Sequence, residues 1–146
     1  LSAYRAASKC KTNSEIIELA TIWIDRYGNL PRPVETLIEI MKLKLVAAKC
    51  GITRIKNEEP NIILETLVDE SGFRLLRKGL PNHLQGRLIY NKNSKRQSII
   101  ARGISLLAID KQLNELINWL ELMSSQIPII ENDAKKNETY EEINDE

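Results

Sequence analysis

Apolar positions at helical spacing open the chain's organisation. Ile16, Ala20, Trp23, Ile24 and Tyr27 recur at offsets of 0, 4, 7, 8 and 11 residues, the pattern of an amphipathic helix with a core-facing stripe. Thr12 or Asn13 is placed to cap it, with Glu15 and Glu18 early, where the helix dipole favours acid. A shorter helix over residues 2–10, with Tyr4 and Ala7 on one side, precedes it. After Pro33 the periodicity resumes with Val34, Leu37, Ile38, Met41, Leu45 and Ala48 inward, and it stops at Cys50-Gly51. Between these two helices lie Gly28, Pro31 and Pro33. The glycine can take positive φ at low cost and the prolines stiffen the link, so the pattern predicts a helical hairpin with a fixed elbow.

From Ile52 the period changes. Residues 52–56 and 61–66 are short runs rich in β-branched residues on either side of Asn57-Glu58-Glu59-Pro60, and predict a β-hairpin. Residues 71–78 predict a short helix capped by Ser71 and stopped at Gly79. Arg87 to Tyr90 predicts a third strand, followed by a polar turn from Asn91 to Lys95. Ser98 to Ala101 fits either a further strand or the start of the last helix. That helix follows from Ile109, Leu113, Leu116, Ile117 and Leu120, until Pro128 ends the pattern. The fold class expected is α+β: an N-terminal helical hairpin, a small antiparallel sheet and a closing C-terminal helix.

Composition changes this picture at one place. The chain has 146 residues, 42% hydrophobic and 28% charged, enough for one core, and a formal net charge of +1. Seven acidic and two basic residues fall between Glu131 and Glu146, so this segment carries −5 and residues 1–130 carry +6. The division expected is a domain over 1–130 and a disordered acidic tail over 131–146, in which only Tyr140 and Ile143 offer anything to bury. No apolar run approaches the roughly twenty residues that cross a bilayer. No signal peptide is visible, and a soluble, cytoplasmic, monomeric fragment of a longer protein is expected. Cys10, Cys50 and the single histidine, His83, are too few for a zinc site, and reduced structural thiols are expected. Metal and cofactor are both expected to be none.

Catalytic chemistry is not indicated. The chain has no GxxxxGK[ST] loop, no GxGxxG, no GxSxG and no HExxH, and an enzymatic site in this fragment is not expected. Two surfaces are candidates for binding. Arg87, Lys92, Lys95, Arg96 and Arg102, with Tyr90 among them, could neutralise phosphates and stack a base. On the first long helix, Glu15, Glu18, Ile22 and Asp25 cluster opposite the core stripe, and an apolar residue ringed by acid is what a polar docking surface looks like.

Asp25-Arg26-Tyr27-Gly28-Asn29-Leu30-Pro31-Arg32-Pro33-Val34 resembles the signature of the C-terminal domain of bacterial transcription-repair coupling factor (Mfd). The resemblance extends to Tyr4-Arg5, Leu37, Ile38, Gly51-Ile52, Leu84 to Tyr90 and the last helix, most of residues 2–125. It implies a regulatory, autoinhibitory domain of an ATP-dependent DNA translocase that acts on stalled RNA polymerase in transcription-coupled nucleotide excision repair. In such proteins the domain is understood to fold back on an N-terminal module that resembles part of UvrB and binds UvrA through an arginine-rich surface. The resemblance places Asp25 in that contact by motif; Glu18, Ile22 and the rim residue Glu15 join it by helical geometry. The alternatives are a nucleic-acid accessory domain using Arg87 to Arg102, or a purely structural cap.

Overall fold

The computed structural model describes residues 2–93 and 95–144; the side chains of 2–4 and 139–144, among them Tyr4, Tyr140 and Ile143, lie outside the described part. Helix α1 (Ser2–Ser8) leads into α2 (Asn13–Tyr27) and α3 (Arg32–Lys49). Thr12 caps α2: its Oγ1 accepts the Glu15 N–H at 3.2 Å, while the Glu15 carboxylate accepts the Lys11 N–H at 2.8 Å. Gly28 ends the helix with φ 81° and ψ −155°, its N–H reaching Ile24 O at 2.8 Å. That conformation is open essentially to glycine alone and lies outside the left-handed helical region. Because no atom would crowd a Cβ there, the cost of Gly28→Val is conformational, about 1–3 kcal/mol. A drop of that size in urea-derived stability, with the spectrum of the folded state unchanged, is the expected outcome.

Helix α3 has two buried sides. Ile38 and Met41 face α1 and α2, with Ala7 and Ile16, in a satellite cluster. Leu43, Val46, Ala47 and Cys50 face the main core. Sequence periodicity captures the first side only and puts Ala48 inward, where it is exposed. Leu43 and Ala47 sit about 140–180° around the helix from Ile38, and a helix sandwiched between two clusters buries both arcs.

The sheet is four-stranded and antiparallel, ordered β1-β2-β4-β3, from β1 (Ile52–Glu58), β2 (Asn61–Thr66), β3 (Leu88–Lys92) and β4 (Gln97–Ala101). Ser98 to Ala101 is therefore strand, and it bridges β2 and β3: Leu64 and Tyr90 both lie opposite Ile99. Ile62, Leu64, Leu88 and Ile99 point into the core from one face. Between β2 and β3 run α4 (Glu70–Arg77) and the short α5 (Asn82–Gln85), which periodicity does not announce and where His83 is exposed. The cap of α4 is Asp69, two residues before the expected Ser71: its Oδ1 accepts the Gly72 N–H at 2.8 Å and the Ser71 hydroxyl at 3.1 Å. These bonds, the backbone one first, hold the Asp69 carboxyl below the usual carboxylate range.

A 3₁₀ turn at Ile104–Leu106 precedes α6 (Ile109–Ser124), which lies along α3 and closes the core with Leu116, Trp119, Leu120 and Met123. Ile109, expected inward, is exposed in the first turn. Pro128 does not end the helical region; it sits in the first turn of α7 (Ile127–Asn144), where its missing N–H costs nothing. Ile127 and Ile130 pack against the core, and residues 131–138 are exposed. Cys50 is buried, donates to Leu120 O at 3.4 Å, and burial pushes its thiol up to about 11. None of the helices among the described residues is long and apolar enough to cross a membrane.

Candidate docking surface

Helix α2 is held by a narrow arc. Ile16 is buried and Leu19, Ala20 and Trp23 are half-buried against α1 and α3. Measured from Ile16, these residues span about 100° of the wheel. Ile24 falls about 80° from Ile16, off that arc, and Tyr27 stands in the last turn. The sequence pattern puts both in the core; the structure exposes them, Tyr27 at 73%. The reason is that α2 packs mainly against α1 and α3, so a stripe wide enough for a fully packed helix is left partly uncovered. Ile17, also exposed, lies on the same flank as Ile24.

The opposite side carries the residues of interest. Glu15, Glu18 and Asp25 are exposed, and Ile22 among them is 48% exposed. No ion pair within the described residues engages Glu18 or Asp25. Glu15 differs, since its carboxylate already serves the N-terminus of its own helix. Arg32, in the elbow, pairs with Asp110 and so ties the start of α3 to the start of α6, away from the Asp25 carboxylate.

The basic residues divide into two groups. Arg87 donates from Nε and Nη2 to Arg102 O, at 3.1 and 2.7 Å, and its guanidinium lies over the Trp119 ring at 5.5 Å. Arg87 and Arg102 flank one end of the β3–β4 pair, and Lys92, Lys95 and Arg96 stand at the other, about 17 Å away by strand rise. Lys92, Lys95 and Arg96 line an open cleft of about 480 Å³ with Thr53, Glu65 and Leu67. There the Glu65 carboxylate takes Lys56 Nζ and Arg96 Nη1, each at 3.0 Å; Lys56 first, then Arg96 and Arg54, hold it below the usual carboxylate range. Tyr90 is engaged elsewhere. Its hydroxyl donates to Val68 O at 2.9 Å and its ring stacks on Phe73 with centroids 5.6 Å apart.

The decapeptide from Asp25 to Val34 thus builds a real elbow and presents beside it the Asp25 carboxylate, which makes no ion pair among the described residues. Residues 1–71, which contain both hairpins, match the model of the TRCF domain. Over 131 residues, 90% of the chain, it is 22% identical to the transcription-repair-coupling factor of Staphylococcus aureus (strain USA300), and over 65 residues, 44% of the chain, 37% identical to that of Escherichia coli (strain K12). The crystal structure of the C-terminal domain of transcription-repair coupling factor superposes with a TM-score of 0.65, covering 86% of this chain and 78% of that one. The chain is similar to the C-terminal domain of transcription-repair coupling factors. At 16% identity the structural match concerns the fold. The chain spans only 6% and 10% of the two curated factors, so it corresponds to one domain of such a protein. The exposure of Ile17 and Ile24 on one flank of α2, and of Tyr27 in its last turn, is the feature that periodicity hides. Its signal in the sequence is the surplus of apolar residues on a helix that packs mainly against the two adjacent helices.

Proposed function

We propose that this chain is a TRCF domain acting as an autoinhibitory lid. In the parent coupling factor, a DNA translocase driven by ATP, the outer face of α2 docks on the arginine-rich surface of the UvrB-like N-terminal module. It thereby masks that module from UvrA until the motor engages a stalled RNA polymerase. The observation that carries this reading is Ile22 lying half-exposed among Glu18 and Asp25, two carboxylates that make no ion pair among the described residues. Carboxylate–arginine pairs are directional, and charge complementarity sets specificity and exchange with competing partners. An apolar centre inside a polar rim is the usual anatomy of such a contact. A lid of this kind needs a differential of only a few kcal/mol to keep the open form rare.

The test is the parent protein carrying Glu18→Arg and Asp25→Arg. Both side chains are exposed, so the stability of the domain should change by less than about 0.5 kcal/mol. Affinity for UvrA should rise by about tenfold or more, equivalent to roughly 1.4 kcal/mol of lost masking. Unchanged UvrA affinity in the double variant would remove α2 from the contact.

A further inference from the structure

We propose that the outer face of the sheet is a docking site for an acidic amphipathic helix of a partner protein. That face is built from strands alone and shares no residue with the acidic side of α2. An antiparallel strand covered on one side alternates apolar with polar residues, whereas apolar residues in succession belong to strands covered on both sides. Residues 62–64, 88–90 and 99–101 are apolar in succession. One face accounts for only part of them: Ile62, Leu64, Leu88, Ile99 and Ala101 lie in the main core with residues of α3 and α6. Ile63, Ile100 and Ile89 point the other way and belong to neither hydrophobic cluster. Ile100 lies opposite both Ile63 and Ile89, so the three form one row across β2, β4 and β3. Ile63 and Ile100 are half-buried between their neighbours, and Ile89, on the edge strand, is 43% exposed. The row spans two strand spacings, about 10 Å, which is the width of one helix.

The charges beside the row select the occupant. Lys56 lies opposite Ile63 at the β1 end, and Arg54 lies opposite Glu65 in the adjacent row. The Glu65 carboxylate takes Lys56 Nζ and Arg96 Nη1, while Arg54, exposed, makes no ion pair among the described residues. Three cations, Arg54, Lys56 and Arg96, against the one carboxylate of Glu65 leave this part of the face at +2. An apolar row beside net positive charge fits a helix with apolar anchors at i, i+3, i+4 and i+7 and carboxylates along its flank. The same charge opposes a second copy of this face, where positive would meet positive. Single-stranded nucleic acid would find no ring to stack on, because Tyr90 packs on the core side against Phe73.

The experiment titrates a capped peptide of about four helical turns, with leucine on one stripe and glutamate on its flanks, into the nitrogen-15-labelled 146-residue chain. The amides of Arg54, Ile63, Ile89 and Ile100 shift saturably, with a Kd below about 1 mM at about 0.05 M salt. Replacing the peptide's glutamates with lysine, or its leucines with serine, weakens binding by about tenfold or more. Ile89→Thr and Arg54→Glu each do the same in the chain, and both side chains are exposed, so the spectrum of the folded state is otherwise kept. Shifts that fail to saturate or that fall elsewhere overturn the proposal. So do equal affinities for the glutamate and lysine peptides, and shifts that survive Ile89→Thr combined with Arg54→Glu. An oligothymidylate that moves these amides more than the acidic peptide does would make the face a nucleic-acid site, and broadening of these amides with protein concentration alone would make it a contact between copies; either result overturns it as well.

Discussion

Truncating Trp119 to alanine is expected to destabilise the domain by about 3–5 kcal/mol, the largest effect of any single core substitution proposed for it. Trp119 is 2% exposed and sits on the side of α6 that closes over the sheet. Arg87 lies over its ring, and that same guanidinium ties Arg102 O to the start of β3, so removing the ring also loosens the β3–β4 edge. The indole Nε1 has no hydrogen-bond partner among the described residues. An unpaired buried donor is costly, so Trp119→Phe removes one unfavourable group while keeping an aromatic face under Arg87. Phenylalanine should therefore cost less than about half of what alanine costs, since much of the volume and stacking survive. Urea denaturation of the two variants measures both. A loss below about 1 kcal/mol for alanine would show that α6 does not rely on this residue.

The second large effect is expected at Gly79, where alanine should cost about 3 kcal/mol. A Cβ at this position would lie 2.2 Å from Leu122 O and 2.9 Å from its carbonyl carbon, both backbone atoms of α6 that cannot rotate away. Gly79 has no positive φ, so the penalty is one of packing: the chain leaving α4 runs directly against the neighbouring helix. Gly86 provides the control. It has helical angles and nothing within reach of a Cβ, so Gly86→Ala should be neutral or stabilising by up to about 1 kcal/mol. Equal effects at the two glycines, measured by thermal or urea unfolding, would contradict the close approach of α4 and α6.

Much of the α+β plan is legible from local signals. The elbow at Gly28, Pro31 and Pro33 follows from cap chemistry, and the hairpin of β1 and β2 from β-branched runs around a turn. Where the reading departs, the cause lies in partners that are distant in sequence. Ala48 and Ile109 match the helical period and are exposed, because periodicity gives an angle and not the extent of the surface that covers it. Leu43 and Ala47 are buried because α3 has a second neighbour, α6. The cap of α4 moved to Asp69 because its carboxylate can accept two bonds at once, whereas Ser71 sits inside the first turn and donates to it.

The candidate sites divide in the same way. The acidic side of α2 was visible as a pattern at about 100° per residue, and Glu18, Ile22 and Asp25 lie on it, exposed, while Glu15 is occupied by its own helix. The basic stretch looked continuous along the chain. In three dimensions the turn of the β3–β4 hairpin separates Lys92, Lys95 and Arg96 from Arg87 and Arg102, and Tyr90 is locked against Phe73 and Val68.

Taken alone, the order of residues determined the elbow at Gly28, the long helices α2, α3 and α6, the β1–β2 hairpin and the acidic side of the first long helix. These depend on steric and hydrogen-bonding preferences that act within a few residues. Tertiary structure decided which strand lies between β2 and β3, which of the matching apolar residues are covered, and which charges are free. Those outcomes depend on how far each neighbour extends and on which opposite charge is already within reach, quantities that arise only when distant segments meet.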